Sequence, residues 1–278
     1  MDLETHPRRY FALPDGARLA YVDEGSGPPI VFLHGWSSSM NWFREQVPSF
    51  ARHHRVLALD FRGHGDSDKV PAGHTMEQYA EDVRAFVEAM GAQGCLMVGW
   101  SMGSFVLWKY VERFGRHQAR GMVFVGQSAS DLRSERYPYG IVTEQQFYEM
   151  MHAIQTDHAA TVRQWMRGLR KHATEEQVEW MTREYLRCPT HIATVSFYFQ
   201  TMVDCFPAFP MISFPTRVFF GTDDKMYNIK DGEYLARVIP GTKLVVFDQS
   251  GHAPMLEEPD RFNQELDAFA AEVFAARG

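Results

Sequence analysis

The sequence predicts an α/β protein built on a doubly wound, mostly parallel sheet with an inserted helical lid. Three observations lead there. Short, continuous apolar runs alternate with amphipathic segments over the first half of the chain and again near its end, as parallel strands covered on both faces do. The alternation stops between about 131 and 212, where helical signals persist without strands. A chain of 278 residues, 45% apolar and 23% charged, is long enough to bury one large core.

Taken in order, the strand signals are 18–23, 30–33, 56–59, 96–98, 122–125, 217–220 and 244–247. Between the third and fourth, Met76, Tyr79, Val83, Phe86, Val87 and Met90 share one face of a helix over about 76–90, with Thr75 and Gln78 placed as a capping box. A further helix, 105–114, follows the fourth strand. This β-α alternation implies right-handed crossovers. Inside the interruption, 144–155, 161–171 and 175–186 carry helical periodicity. The expected organisation is therefore a core of 1–130 and 213–278 with a helical lid at 131–212.

Composition narrows the partners. A net charge of −7 disfavours nucleic acid, which is bound through clustered lysine and arginine. No apolar run approaches the length of a membrane span, and the first sixteen residues lack a signal-peptide core. Cys95, Cys188 and Cys205 are odd in number and widely spaced, which indicates neither a disulfide framework nor a zinc site. The expectation is a cytoplasmic protein with reduced thiols and a small-molecule substrate, with no nucleic-acid or membrane partner. A homo-oligomer stays open. Dinucleotide, P-loop and zincin motifs have no match in the chain. No cofactor and no metal are expected.

Four motifs carry chemistry. Gly99-Trp100-Ser101-Met102-Gly103 lies between a strand and a helix, where a tight turn presents the serine at its tip and the glycines permit close backbone approach. Ser250-Gly251-His252 follows the last strand, at the sheet edge where α/β folds place ligands. Gly221-Thr222-Asp223-Asp224 follows the preceding strand, giving the chain order Ser, Asp, His. Neutral serine is a poor nucleophile, so an imidazole must take its proton and a carboxylate must orient that imidazole. His34-Gly35-Trp36 follows the strand at 30–33; its loop and the residue after the nucleophile supply oxyanion-hole N–H groups, which assigns them to Trp36 and Met102. His34 itself, and the turn Asp60-Phe61-Arg62-Gly63-His64-Gly65-Asp66-Ser67, read as structural.

Together HGW, DFRGHGDS, GWSMG, GTDD and SGH resemble the signature of the α/β-hydrolase superfamily, and HGW with a Ser-Met-Gly elbow is most similar to the bacterial arylesterase and cofactor-free haloperoxidase (perhydrolase) group. The stretch Thr201-Met202-Val203-Asp204-Cys205 is also similar to that group. The resemblance implies Ser101 as nucleophile, His252 as general base and Asp224, selected over Asp223 by the pattern G-x-x-D, as the orienting acid. It departs from the group at Ser104, Trp100 and Lys225.

The expected activity is hydrolysis of carboxylic esters, with lactones or thioesters as further substrates. The alternatives are perhydrolysis through the same acyl-enzyme, and a slow-turnover ligand receptor. Trp36 in the oxyanion loop and Trp100 beside the nucleophile place at least one indole where it is expected to crowd the acyl side, favouring short acyl groups. Arg163, Arg167, Arg170 and Lys171 form a basic stripe at helical spacing, read as a solvated face or as a site for an anionic substrate group.

Overall fold

A computed structural model describes residues 1–275, so 276–278 of the expected core segment lie outside the described residues. Eight strands form one sheet in the order β1-β2-β4-β3-β5-β6-β7-β8. They are β1 (Arg9–Ala12), β2 (Arg18–Gly25), β3 (Pro29–Leu33), β4 (Arg55–Leu59), β5 (Cys95–Trp100), β6 (Ala119–Val125), β7 (Thr216–Gly221) and β8 (Lys243–Phe247). From β4 onward along the sheet every pairing is parallel; β1 and β2 add an antiparallel edge. All seven expected strands are present. The missed strand is β1, Arg9–Ala12, a short and largely exposed strand at the edge of the sheet.

The helices on the core are α1 (Gln46–Phe50), α2 (Met76–Ala89) and α3 (Met102–Phe114). Between β6 and β7 come α4 (Glu144–Thr156), α5 (His158–Leu169), α6 (Glu175–Tyr185) and α7 (Thr190–Met202), followed after β7 by α8 (Ile229–Val238), α9 (Pro254–Glu257) and α10 (Pro259–Ala275). Among the described residues no helix is long and apolar enough to cross a membrane.

Local chemistry explains the boundaries. Every residue of β5 is buried, as it pairs on both sides, with β3 and β6, and α3 packs against it. The face of α2 formed by Met76, Tyr79, Val83, Phe86 and Val87 is buried as its spacing requires. Its expected capping box is only half made: Thr75 Oγ1 accepts from Gln78 N at 3.1 Å, but the Gln78 amide donates instead to the buried Asp82 Oδ1 at 3.0 Å. The competing carboxylate one turn along explains the difference. Full reciprocal boxes start α4, α6 and α8 instead.

The interruption holds one more helix than expected. α7 carries apolar and aromatic residues on all sides, burying Ile192 and Phe197 while exposing Val195, Tyr198 and Phe199. It therefore lacks the one-sided period that reveals a helix in sequence.

Candidate active site

The turn from β5 into α3 puts Ser101 at φ 53°, ψ −122°, a conformation L-residues rarely adopt and which costs about 1–3 kcal/mol. Packing enforces it. A Cβ at Gly99 would stand 2.5 Å from Gly103 O, and one at Gly103 would stand 2.4 Å from Leu33 O. The two glycines thus let α3 settle against β5 and β3. Ser101 N donates to Val125 O at 2.9 Å, tying the tip of the turn to the end of β6.

Across from it, the loops after β7 and β8 bring Asp224 and His252 together. His252 Nδ1 lies 2.8 Å from Asp224 Oδ2, and both side chains are essentially excluded from solvent. Asp224 Oδ1 accepts from Met226 N at 2.8 Å and Tyr227 N at 3.1 Å. With the Nδ1 proton directed at a carboxylate, Nε2 is the ring's acceptor. It is Asp224, not Asp223, that meets the histidine. Asp223 faces solvent, pairs with Lys225 at 2.8 Å and is held below the usual carboxylate range mainly by that contact. Among the described residues no hydrogen bond yet joins Ser101 Oγ to His252 Nε2; such contacts often tighten only with substrate bound.

Gly35 brings the loop after β3 against the serine, since a Cβ there would stand 3.1 Å from Ser101 Cβ. Met102 opens α3, and the first N–H groups of a helix have no intrahelical acceptor. His34 braces this loop: its Nδ1 donates to Gly35 O at 2.7 Å while Nε2 accepts from Phe61 N at 3.0 Å. Complete burial lowers its pKa to about 3, so the ring is neutral. Phe61 belongs to the turn after β4, which folds on Asp60. The Asp60 carboxylate accepts from Met40 N at 2.6 Å and Asp66 N at 2.7 Å, and burial pushes its pKa up to about 6. Gly65, at φ 45°, must be glycine because a Cβ there would lie on that carboxylate.

Trp36 and Trp100 sit differently. Trp36 reaches toward the inserted helices, with Nε1 donating to Ala193 O at 2.9 Å and its ring 5.8 Å from Trp165 and 5.4 Å from Phe197. Trp165 in turn lines a crevice of about 330 Å³ with Ile141, Val142, Met150 and Met226. Trp100 is wholly buried, stacked on Trp42 at 4.6 Å, and its Nε1 donates to His252 O at 2.9 Å. Where the sequence suggests contact with substrate, the structure places this indole behind the histidine, bound to its backbone.

The basic stripe divides. Arg163 and Arg167 pair with Glu175 at 3.2 and 3.5 Å, and Arg163 also meets Glu179. Arg170 donates to Leu256 O at 3.2 Å and Lys171 Nζ to Asp248 O at 3.0 Å, so these two turn toward the histidine loop.

Three features near the histidine have no local signature. The Tyr227 ring packs 5.3 Å from the imidazole. Asp131 is fully buried and accepts from Tyr227 Oη, Gln127 Nε2 and Gln200 Nε2 at 2.9, 2.9 and 2.6 Å; burial raises its pKa against these bonds. Glu257 accepts three backbone N–H groups, from Lys171, Gly251 and Ala253, at 2.6, 2.9 and 3.3 Å. Burial raises its pKa too, while the Lys171 N–H and the Arg170 charge oppose that.

A strained serine at a strand-to-helix turn, with a buried Asp-His pair on loops at the carboxyl edge of the same parallel sheet, fits a hydrolase of the α/β fold. The chain belongs to the α/β hydrolase fold family, whose profile matches residues 28–259. It is 29% identical to a non-heme chloroperoxidase of Streptomyces lividans over 92% of this chain and 96% of that one. It is 28% identical to a bifunctional esterase/perhydrolase of Acinetobacter calcoaceticus over 94% and 98%. An esterase structure from Exiguobacterium antarcticum superposes with a TM-score of 0.90 at 24% identity, covering 94% and 98% of the two chains. The resemblance read from the motifs, to the arylesterase and haloperoxidase group, agrees with these relatives.

Proposed function

We propose that the protein is a serine esterase that cleaves short-chain or aromatic carboxylic esters through an acyl-enzyme on Ser101. The observation that carries this reading is the buried Asp224–His252 contact at 2.8 Å, set at the same sheet edge as the strained Ser101. His252 Nε2 takes the proton from Ser101 Oγ as that oxygen attacks the ester carbonyl, and Asp224 stabilises the imidazolium. The N–H groups of Trp36 and Met102 hold the negative oxygen of the tetrahedral intermediate, a contribution of roughly 3 kcal/mol per donor. The imidazolium then protonates the departing alkoxide. In the second half, His252 takes a proton from water, whose oxygen attacks the acyl carbon and frees the acid and Ser101.

In this reading the helices between β6 and β7 act as a lid over the serine, and Trp36 with Trp165 bounds the acyl side. Trp100 acts through the histidine backbone rather than on the substrate. The test is fluorophosphonate labelling and p-nitrophenyl acetate hydrolysis with and without Ser101→Ala; labelling that persists in the variant refutes it.

The names of two relatives, a chloroperoxidase and an esterase/perhydrolase, favour a second reading. There hydrogen peroxide replaces water at the acyl-enzyme, so that its oxygen takes the acyl group and a peracid leaves while Ser101 regains its proton. Peracid formation from acetate and peroxide, compared with ester hydrolysis on the same preparation, decides between them.

A further inference from the structure

We propose that Glu257 is a positioning residue for His252: its carboxylate locks the C-terminal end of α5 to the histidine loop, so that docking of the inserted helices is part of the catalytic centre. The inference rests on the esterase reading and adds a residue to it.

The histidine loop has little structure of its own. Glu257 Oε1 accepts from the N–H groups of both neighbours of His252, Gly251 at 2.9 Å and Ala253 at 3.3 Å. Its other oxygen accepts from Lys171 N at 2.6 Å, immediately past α5. The N–H of His252 itself donates to Leu169 O at 2.9 Å, the last residue of that helix. On the far side, Trp100 Nε1 fixes the His252 carbonyl at 2.9 Å.

The main chain of the histidine is thus held by the nucleophile elbow from one side and by the inserted segment from the other. One carboxylate spans the second junction. Contact there is close enough to exclude any side chain at Gly251, where a Cβ would stand 2.9 Å from Lys171 N and 3.0 Å from Leu169 O. That accounts for the glycine in Ser-Gly-His. Proton transfer is steep in distance, and a misplacement of about 1 Å costs on the order of a hundredfold in rate. Whatever shifts the end of α5 shifts His252.

Lys171→Pro removes the α5 donor and leaves Glu257 in place. Arg170 already has φ −110° and ψ 152°, backbone angles suited to a residue before proline. Lys171→Ala is the reference, because it loses the same side-chain bonds and keeps the N–H. Glu257→Gln is the second variant, since an amide presents an NH₂ to at least one of the three donors. The readouts are kcat and KM on p-nitrophenyl acetate and the rate of fluorophosphonate labelling, each per folded molecule by circular dichroism.

The expected result is a fall in kcat and in labelling rate of about ten- to a hundredfold from Lys171→Ala to Lys171→Pro, with KM within about twofold, and a like loss in Glu257→Gln. A Lys171→Pro chain that matches Lys171→Ala, or a loss carried by KM alone, overturns the proposal. A Glu257→Gln chain with wild-type kcat does the same. A wild-type chain that neither turns over the ester nor labels at Ser101 overturns the esterase reading and this proposal with it.

Discussion

Replacing Asp224 by asparagine tests the site with almost no change in volume. Three donors converge on the carboxylate: His252 Nδ1 on Oδ2, and the N–H groups of Met226 and Tyr227 on Oδ1. An amide has one oxygen for these three and brings two protons of its own. The backbone donors cannot move, so the amide oxygen turns to them and the NH₂ faces the imidazole. The ring then accepts at Nδ1 and carries its proton on Nε2, the tautomer that cannot deprotonate Ser101. Loss of the correct tautomer in a serine triad lowers kcat by about 10⁴, or about 5.4 kcal/mol at 1.36 kcal/mol per decade. Asp223→Asn removes a pair with Lys225 at 2.8 Å and a looser one with Lys171 at 3.9 Å, partly exposed contacts worth about 0–1 kcal/mol each to stability, so its kcat stays within about fivefold. The assay is kcat on p-nitrophenyl acetate for both purified variants, with folding checked by circular dichroism. Equal losses, or a larger loss in Asp223→Asn, would refute the assignment of the acid.

Ser101→Gly abolishes ester turnover like Ser101→Ala but melts higher than the alanine variant by roughly 2–4 °C, because glycine relieves a positive-φ strain of about 1 kcal/mol that alanine retains; equal melting temperatures would count against a strained elbow. His34 titrates at about 3 when folded, against about 6.5 unfolded. Below pH 6.5 the unfolded chain therefore binds a proton that the folded one refuses, and stability contributed by this ring falls as pH drops from 6.5 toward 3. His34→Gln should flatten that acid limb in melts across the window, and an unchanged slope would place the proton uptake elsewhere. Across p-nitrophenyl esters from two to sixteen carbons, kcat/KM peaks at acetate to butyrate, and Trp165→Ala moves the peak to longer chains; a wild-type profile rising beyond eight carbons shows that neither Trp36 nor Trp165 bounds the acyl side. Because Arg167 is paired with Glu175, Arg167→Glu changes KM equally for anionic and neutral esters, and a selective rise for the anionic one would instead assign it to substrate recognition.

What the sequence alone determined was local in the chain. The buried strands show as continuous apolar runs, α2 shows as a one-sided stripe, and Gly-x-Ser-x-Gly between a strand and a helix marks a turn that only small flanking residues can make. The choice of Asp224 over Asp223 came from the family pattern G-x-x-D, since both residues lie just after β7. Tertiary structure decided how residues far apart in the chain meet. Trp100 looks in sequence like a wall beside the nucleophile, but stacking on Trp42 and a bond to the carbonyl of His252, 152 residues away, turn it into a backbone support. The helix α7 is hidden because it is apolar on every side, a pattern that acquires meaning only when some faces meet the core. Glu257 meets Lys171 across 86 residues, through backbone N–H groups that every amino acid except proline possesses. Such a contact leaves no trace in composition or spacing, because its donor is the main chain and its geometry depends on where two distant segments come to rest.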